Sequence, residues 1–162
     1  MIAYAADDPE VRSAYLVFRG RYLSNEASIS VVRKFEDALD RTMTRLIGAG
    51  KEVYIFLPVV ETGFDPRLCL GSLPFGRSAP QPCDISRSKD ERHTELLRNS
   101  IGTVLTKHPK VHVVTPNDYF CSGDICPVVR DGHSMFKDEN HLSYTGSMFQ
   151  GRALDSLIRN SK

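Results

Sequence analysis

The sequence predicts an α/β fold built around a parallel sheet, and three observations carry that prediction. Continuous apolar runs occur at Ala14-Tyr15-Leu16-Val17-Phe18, Val53-Tyr54-Ile55-Phe56-Leu57 and Val111-His112-Val113-Val114. Each is followed, at once or after a loop, by a stretch whose apolar residues recur three and four apart. A turn residue, Gly20, Pro58 or Pro116, stands just beyond each run. Such runs suit strands within a parallel sheet, and their alternation with helical segments implies βαβ units. In a sheet of that kind, ligands gather at the C-terminal strand ends, where these three turn residues lie.

Taken in order, residues 8–12 read as the end of a helix or a loop, and 14–18 as a first strand buried on both faces. Residues 25–48 follow as a helix with Phe35, Leu39, Met43, Leu46 and Ile47 inward and charged residues around the remainder. Gly48 and Gly50 end it. Residues 53–57 form the second strand. The stretch 59–87 has no period and is rich in proline and glycine; a loop that long inside a compact domain is functional or tied down. Residues 88–107 return to helical spacing, with Leu97, Ile101, Val104 and Leu105 on one face. Residues 111–114 form the third strand and 115–142 an irregular segment. Ser143 caps a last helix, reaching about residue 159, with Met148, Leu154, Leu157 and Ile158 facing inward. No internal repeat or second domain is visible, so residues 1–162 are read as one domain.

Composition narrows the function. Lys and Arg total 21 against 20 Asp and Glu, mixed along the chain, which gives no electrostatic case for nucleic acid or an anionic membrane. No apolar run approaches the roughly 18 residues that span a bilayer, and the first residues lack a secretory signal pattern. The four cysteines fall into two local couples, Cys69 with Cys83 and Cys121 with Cys126. They fit two disulfides in an oxidising compartment, or four free thiols in a reducing one. A zinc site from Cys121, Cys126, His133 and His141 is a third option, but the cysteine spacing is wide for a zinc knuckle. No metal or cofactor is expected.

The chemistry concentrates near the C-terminus. Asp138 stands three residues before His141, after the third strand and before the last helix. An Asp so placed orients a His as a general base for a hydroxyl nucleophile. Asp-x-x-His alone is a weak signal, since a carboxylate and an imidazole meet at this spacing by chance.

The surrounding residues carry a resemblance. Phe136-Lys137-Asp138-Glu139-Asn140-His141-Leu142-Ser143-Tyr144-Thr145-Gly146 resembles the last block of the SGNH hydrolase superfamily, and more narrowly the SGNH domain fused to acyltransferase family 3 membrane proteins. Three further segments agree in order and spacing. The stretch from Leu57 to Leu70, with Cys69 near its end, is similar to that family's Pro-rich segment after a strand, which also ends in a cysteine. Cys121 and Cys126 are similar to its later cysteine pair, and Leu16-Val17-Phe18-Arg19-Gly20-Arg21-Tyr22 to its apolar strand and small-residue turn. The resemblance implies a three-layer α/β/α, flavodoxin-like fold and a Ser-His-Asp mechanism on acyl esters. By it, His141 moves the proton, Asp138 holds the imidazole, and backbone N–H groups near Gly20 contribute to an oxyanion hole. Cysteines 69, 83, 121 and 126 would form disulfides. The partners implied are an acylated donor or acceptor glycan and a membrane acyltransferase domain, at the periplasmic or extracytoplasmic face.

One departure is plain. The superfamily's first block is Gly-Asp-Ser, and this chain contains none; Gly123-Asp124-Ile125 lacks the serine, and Ser134 stands in the wrong order. The sheet is then expected to lack its central strand, leaving the strand at 14–18 with an open apolar edge. The chain reads as the C-terminal part of an acyl-transferring domain whose serine lies outside it. The alternative is a non-catalytic binding or partner module, and a weaker third reading is a flavodoxin-like binding domain without a triad.

Overall fold

The computed structural model describes residues 2–20, 22–70 and 83–160. It is a mixed α/β fold whose main sheet is parallel. The elements run α1 (Ile2–Asp7), β1 (Ser13–Val17), α2 (Ile29–Gly48), β2 (Glu52–Phe56), a 3-10 turn at Pro66–Leu70, β3 (Asp84–Ser86), α3 (Arg87–His93), α4 (Glu95–Leu105) and β4 (His112–Val114). Then follow α5 (Asn117–Phe120), β5 (Ile125–Pro127), β6 (Val129–Arg130), β7 (His133–Ser134) and α6 (Tyr144–Asn160). Among the described residues no helix is long and apolar enough to cross a membrane. The chain divides into two compact units: residues 1–58 with 93–115, and residues 59–92 with 116–162.

The first unit holds the parallel sheet, in the order β1-β2-β4. Crossovers of one hand along a sheet that grows in one direction place their helices on one face. Accordingly α2 and α4 both cover the face bearing Ala14, Leu16, Val53 and Ile55, where Leu39, Met43, Leu46, Leu97, Ile101 and Val104 complete the core. Helix α2 ends as its glycines predict. Gly50 has φ +74°, and the N–H groups of Lys51 and Gly50 donate to the carbonyls of Leu46 and Ile47, satisfying the last turn. On the other face Tyr15, Tyr54 and His112 stand side by side in register, their rings stacked at 5.0 and 4.7 Å.

Two expectations are corrected here. The first strand is not buried on both faces: Tyr15 and Val17 are 47% and 69% exposed. Among the described residues β1 is an edge strand with no neighbour beyond it, so these two side chains lack the cover an inner strand has. This matches the expected open edge. A groove of about 310 Å³ runs along it, lined by Tyr15, Val17, Phe18, Tyr22, Phe35 and Leu39. The helix expected at 88–107 is two helices, α3 and α4, broken at Thr94. Thr94 is buried, and its hydroxyl and carbonyl take N–H donors of Arg98, so the chain restarts a helix there.

The second unit has its own core: Val60, Phe120, Cys126, Val128, Met135 and Phe136, with Ile85, Leu142 and Phe149 packed against it. Disulfides join Cys69 to Cys83 and Cys121 to Cys126. The segment expected to be irregular contains structure. Strand β3 pairs antiparallel with β5, and β6 with β7 through an Asp131-Gly132 turn with φ +52° and +75°. That pair of positive φ values is what a two-residue hairpin needs, and Asp-Gly supplies it. Within the long loop expected at 59–87, residues 71–82 lie outside the described residues.

Truncating the centre of the first core tests this account. Met43 is fully buried, so Met43→Ala should cost about 2–5 kcal/mol in denaturant unfolding, whereas Ile29→Ala on the exposed side of α2 should stay within about 0.5 kcal/mol.

Candidate active site

Asp138 and His141 lie in the second unit, on the loop between β7 and α6. The Asp138 Oδ1 accepts the backbone N–H groups of Asn140 at 3.1 Å and His141 at 2.9 Å. Its carboxylate also faces the His141 Nδ1, at 2.9 and 3.0 Å to the two oxygens. One carboxylate therefore shapes the turn and orients the ring that the turn carries. It holds the imidazole by Nδ1 and leaves Nε2 as the atom to take a proton. The His141 side chain is 70% exposed, open to a reacting group.

The Asp138 carboxyl is held below its ordinary pKa, first by the backbone N–H of Asn140, against the opposing effect of desolvation, and then by the ring and backbone N–H of His141. A depressed folded-state value means that the ionised turn is fully favoured above the unfolded value of about 3.9. That contribution is lost as pH falls through the lower folded value.

Other residues of the block hold this loop in place. Phe136 and Leu142 pair across its base, and the N–H of Lys137 donates to the His141 carbonyl at 2.8 Å. Glu139's carbonyl accepts the N–H of Thr62 at 2.9 Å and its hydroxyl at 3.2 Å. Ser143 donates its hydroxyl to the Ser134 carbonyl at 2.6 Å and accepts the N–H of Gly146 at 3.0 Å, the side-chain cap expected for α6. Gly146 is required by proximity: a Cβ there would run into the Met135 carbonyl oxygen. That carbonyl already accepts the N–H of Ser143 at 2.9 Å.

The remaining sequence-predicted residues fall as follows. Gly20 is buried in the turn after β1, in the first unit. Cys121 and Cys126 are bonded to each other, so their sulfurs are not available as the thiolates of a zinc site with His133 and His141. Among the described residues no serine hydroxyl is hydrogen-bonded to the His141 ring. Asp124, of Gly123-Asp124-Ile125, has a structural use: it accepts the Ser88 N–H at 2.6 Å and the Ser86 hydroxyl at 2.8 Å at the start of α3. The inward placement expected for Met148 is corrected. It is 43% exposed, and among the described residues of α6 the neighbouring Phe149 packs into the core. Leu154 is half-buried, and the side chains of Leu157 and Ile158 lie outside those described. Thr62, which anchors Glu139, was not legible as part of the site, since nothing local marks a partner so distant in sequence.

The chain matches the family described as "SGNH domain (fused to AT3 domains)" over residues 1–156, and it belongs to that family. It is similar in structure to the periplasmic domain of the lipopolysaccharide acetyltransferase of Salmonella serovar Paratyphi A, with TM-score 0.59 at 17% sequence identity. The match covers 89% of this chain and 55% of that one, so the chain spans about half the length of the solved domain. None of the curated proteins matches it in sequence.

Paired glycine substitutions in α6 test the loop's close approach. Gly146→Ala should destabilise by about 1–3 kcal/mol through overpacking against Met135, although alanine favours helix. Gly151→Ala meets nothing within 4 Å and should be neutral or stabilising by up to about 1 kcal/mol in the same thermal or denaturant unfolding experiment.

Proposed function

We propose that residues 1–162 are a single, partial SGNH domain that takes part in acyl transfer to or from hydroxyl groups of cell-envelope glycans, at the extracytoplasmic face of a membrane. The observation that carries this reading is the Asp138 carboxylate against the His141 Nδ1, on a loop pinned from both sides. The family's description as fused to AT3 domains supports a membrane acyltransferase partner. The structural neighbour, a lipopolysaccharide acetyltransferase periplasmic domain, supports both a glycan acceptor and the location. Two disulfides fit an oxidising compartment.

In this reading the nucleophile is a serine supplied from outside these residues, in a Gly-Asp-Ser block. The strand bearing it adds to the open edge of β1, where unpaired backbone groups and the groove beside Tyr15 and Val17 suit a further strand. The serine Oγ attacks the acyl carbonyl, and His141 Nε2 takes its proton and gives it to the departing alcohol. The acceptor hydroxyl then attacks the acyl-serine. Its proton goes to Nε2, and the serine oxygen recovers it as the acyl group leaves. Asp138 stabilises the imidazolium formed in each half. Backbone N–H groups near Gly20 steady the oxyanion, since no side chain there bars a close approach.

The alternative is a non-catalytic binding module, and it rests on the absence of Gly-Asp-Ser from the chain. One experiment separates the two. The 162-residue polypeptide alone should hydrolyse a small acetyl ester no faster than its His141→Ala variant. Joined to a segment carrying the Gly-Asp-Ser block, it should gain an activity that His141→Ala lowers about a thousandfold or more. Activity of the joined protein that ignores His141→Ala would leave the binding module as the better reading.

A further inference from the structure

A second concave surface opens beside the catalytic loop, wholly within the second unit. It encloses about 340 Å³ and is lined by Arg130, His133, Tyr144, Met148, Phe149 and Arg152, among others. That volume sits at the lower end of the roughly 300–1,000 Å³ of small-ligand clefts. Its place is set by the loop already described. Tyr144 opens α6 three residues after His141, and the cleft wall includes Met135, whose carbonyl receives the N–H of Ser143.

The lining has a definite chemical character. Tyr144, Met148 and Arg152 are spaced by four residues, so they form one stripe along α6. The stripe is about 12 Å long, from a rise of about 1.5 Å per residue. Tyr144 is 82% exposed and offers nearly its whole ring. The lining also includes Arg130 of the β6–β7 hairpin. Its guanidinium lies 4.1 Å from the centre of the Phe149 ring and donates to the Phe120 carbonyl at 3.4 Å. Stacked and tethered in this way, it is held ready with N–H donors to spare, so less freedom is lost when it binds a ligand. The lining holds two guanidinium groups, of Arg130 and Arg152, against one carboxylate, Asp131, and His133 adds a further donor. A planar cationic pair suits a carboxylate or phosphate, and an exposed aromatic ring beside it suits the apolar face of a sugar ring.

We propose that this cleft is the acceptor subsite of the domain, binding an oligosaccharide that carries an anionic group. Tyr144 receives a sugar ring next to His141, and Arg152 with Arg130 receives the anion farther along the stripe. The proposal rests on the acyl-transfer reading above for the word acceptor, and on the cleft alone for the ligand class. Uronate carboxylates and sugar phosphates share the chemistry required.

The test is direct binding to the 162-residue chain, by titration calorimetry or amide NMR shifts. The probes are a hexuronic-acid oligosaccharide, a phosphorylated oligosaccharide and a neutral oligosaccharide of equal length. At least one anionic probe should bind about tenfold or more tighter than the neutral one, and which of them does identifies the anion. Arg152→Ala should weaken that binding by about tenfold, and Tyr144→Ala should weaken it as well. Lys89→Ala, an equal charge change at an exposed site outside the cleft, should leave it unchanged. These side chains are exposed, so folding is not at risk, and circular dichroism checks it. Equal binding of the neutral probe, binding indifferent to Arg152→Ala and Tyr144→Ala, or no binding of any probe overturns the proposal. Discriminating binding without acyl transfer by the completed domain would sink the catalytic reading and leave the cleft. Transfer to a neutral glycan, untouched by Arg152→Ala, would do the reverse.

Discussion

The Asp138 carboxylate does two jobs with one group. It closes a turn by accepting the N–H groups of Asn140 and His141, and it orients the imidazole that the turn presents. The same hydrogen bonds that shape the backbone favour the charged form, which is the form an imidazolium needs beside it. Much of the second unit is arranged around keeping that turn in place. Leu142 anchors one side in the core, Thr62 holds the Glu139 carbonyl, and Ser143 links the start of α6 to Ser134. Met135's carbonyl then lies so close to α6 that only glycine fits at position 146. Each residue type in the stretch from Asp138 to Gly146 that marks the family therefore has a local physical cause.

Legibility from sequence differed between the two units. In the first, period located the three strands and α2 to within a few residues and marked the apolar face of α4, because α2, α4 and β2 bury continuous apolar faces against one another, whereas α1 showed no such signal. It misjudged β1, because an apolar run has the same appearance in an inner strand and in an edge strand with one face open, which β1 is among the described residues. It joined α3 to α4, because Thr94 breaks the helix through a buried contact with Arg98 rather than through a glycine or proline. In the second unit most elements are only two to four residues long, too short to show a period, and they are tied by disulfides and isolated bridges. Asp131-Gly132 is a turn signal there that the sequence reading did not use, and it marks the β6–β7 turn. The Asp138/His141 pair was legible because its partners lie within three residues. Thr62 was not, being 77 residues from Glu139.

The division into units also separates the proposed parts of the chemistry. Asp138 and His141, the pair proposed as orienting carboxylate and base, belong to a disulfide-stapled unit with its own core. Gly20 and the open β1 edge belong to the sheet unit. In the proposed reading a further strand adds to the β1 edge, where the exposed Tyr15 and Val17 would be buried. The cleft along Tyr144, Met148 and Arg152 extends the same loop toward a ligand, so catalysis and recognition would share one structural support.

The account stands most directly on the tautomer of His141. Long-range proton–nitrogen correlation NMR of the neutral imidazole reads it without any substrate. A proton on Nδ1, with Nε2 bare, is the predicted result, and Asp138→Asn should remove that preference. A neutral His141 carrying its proton on Nε2 would mean that Asp138 shapes the turn but does not orient a base, and the catalytic role given to the pair would fall.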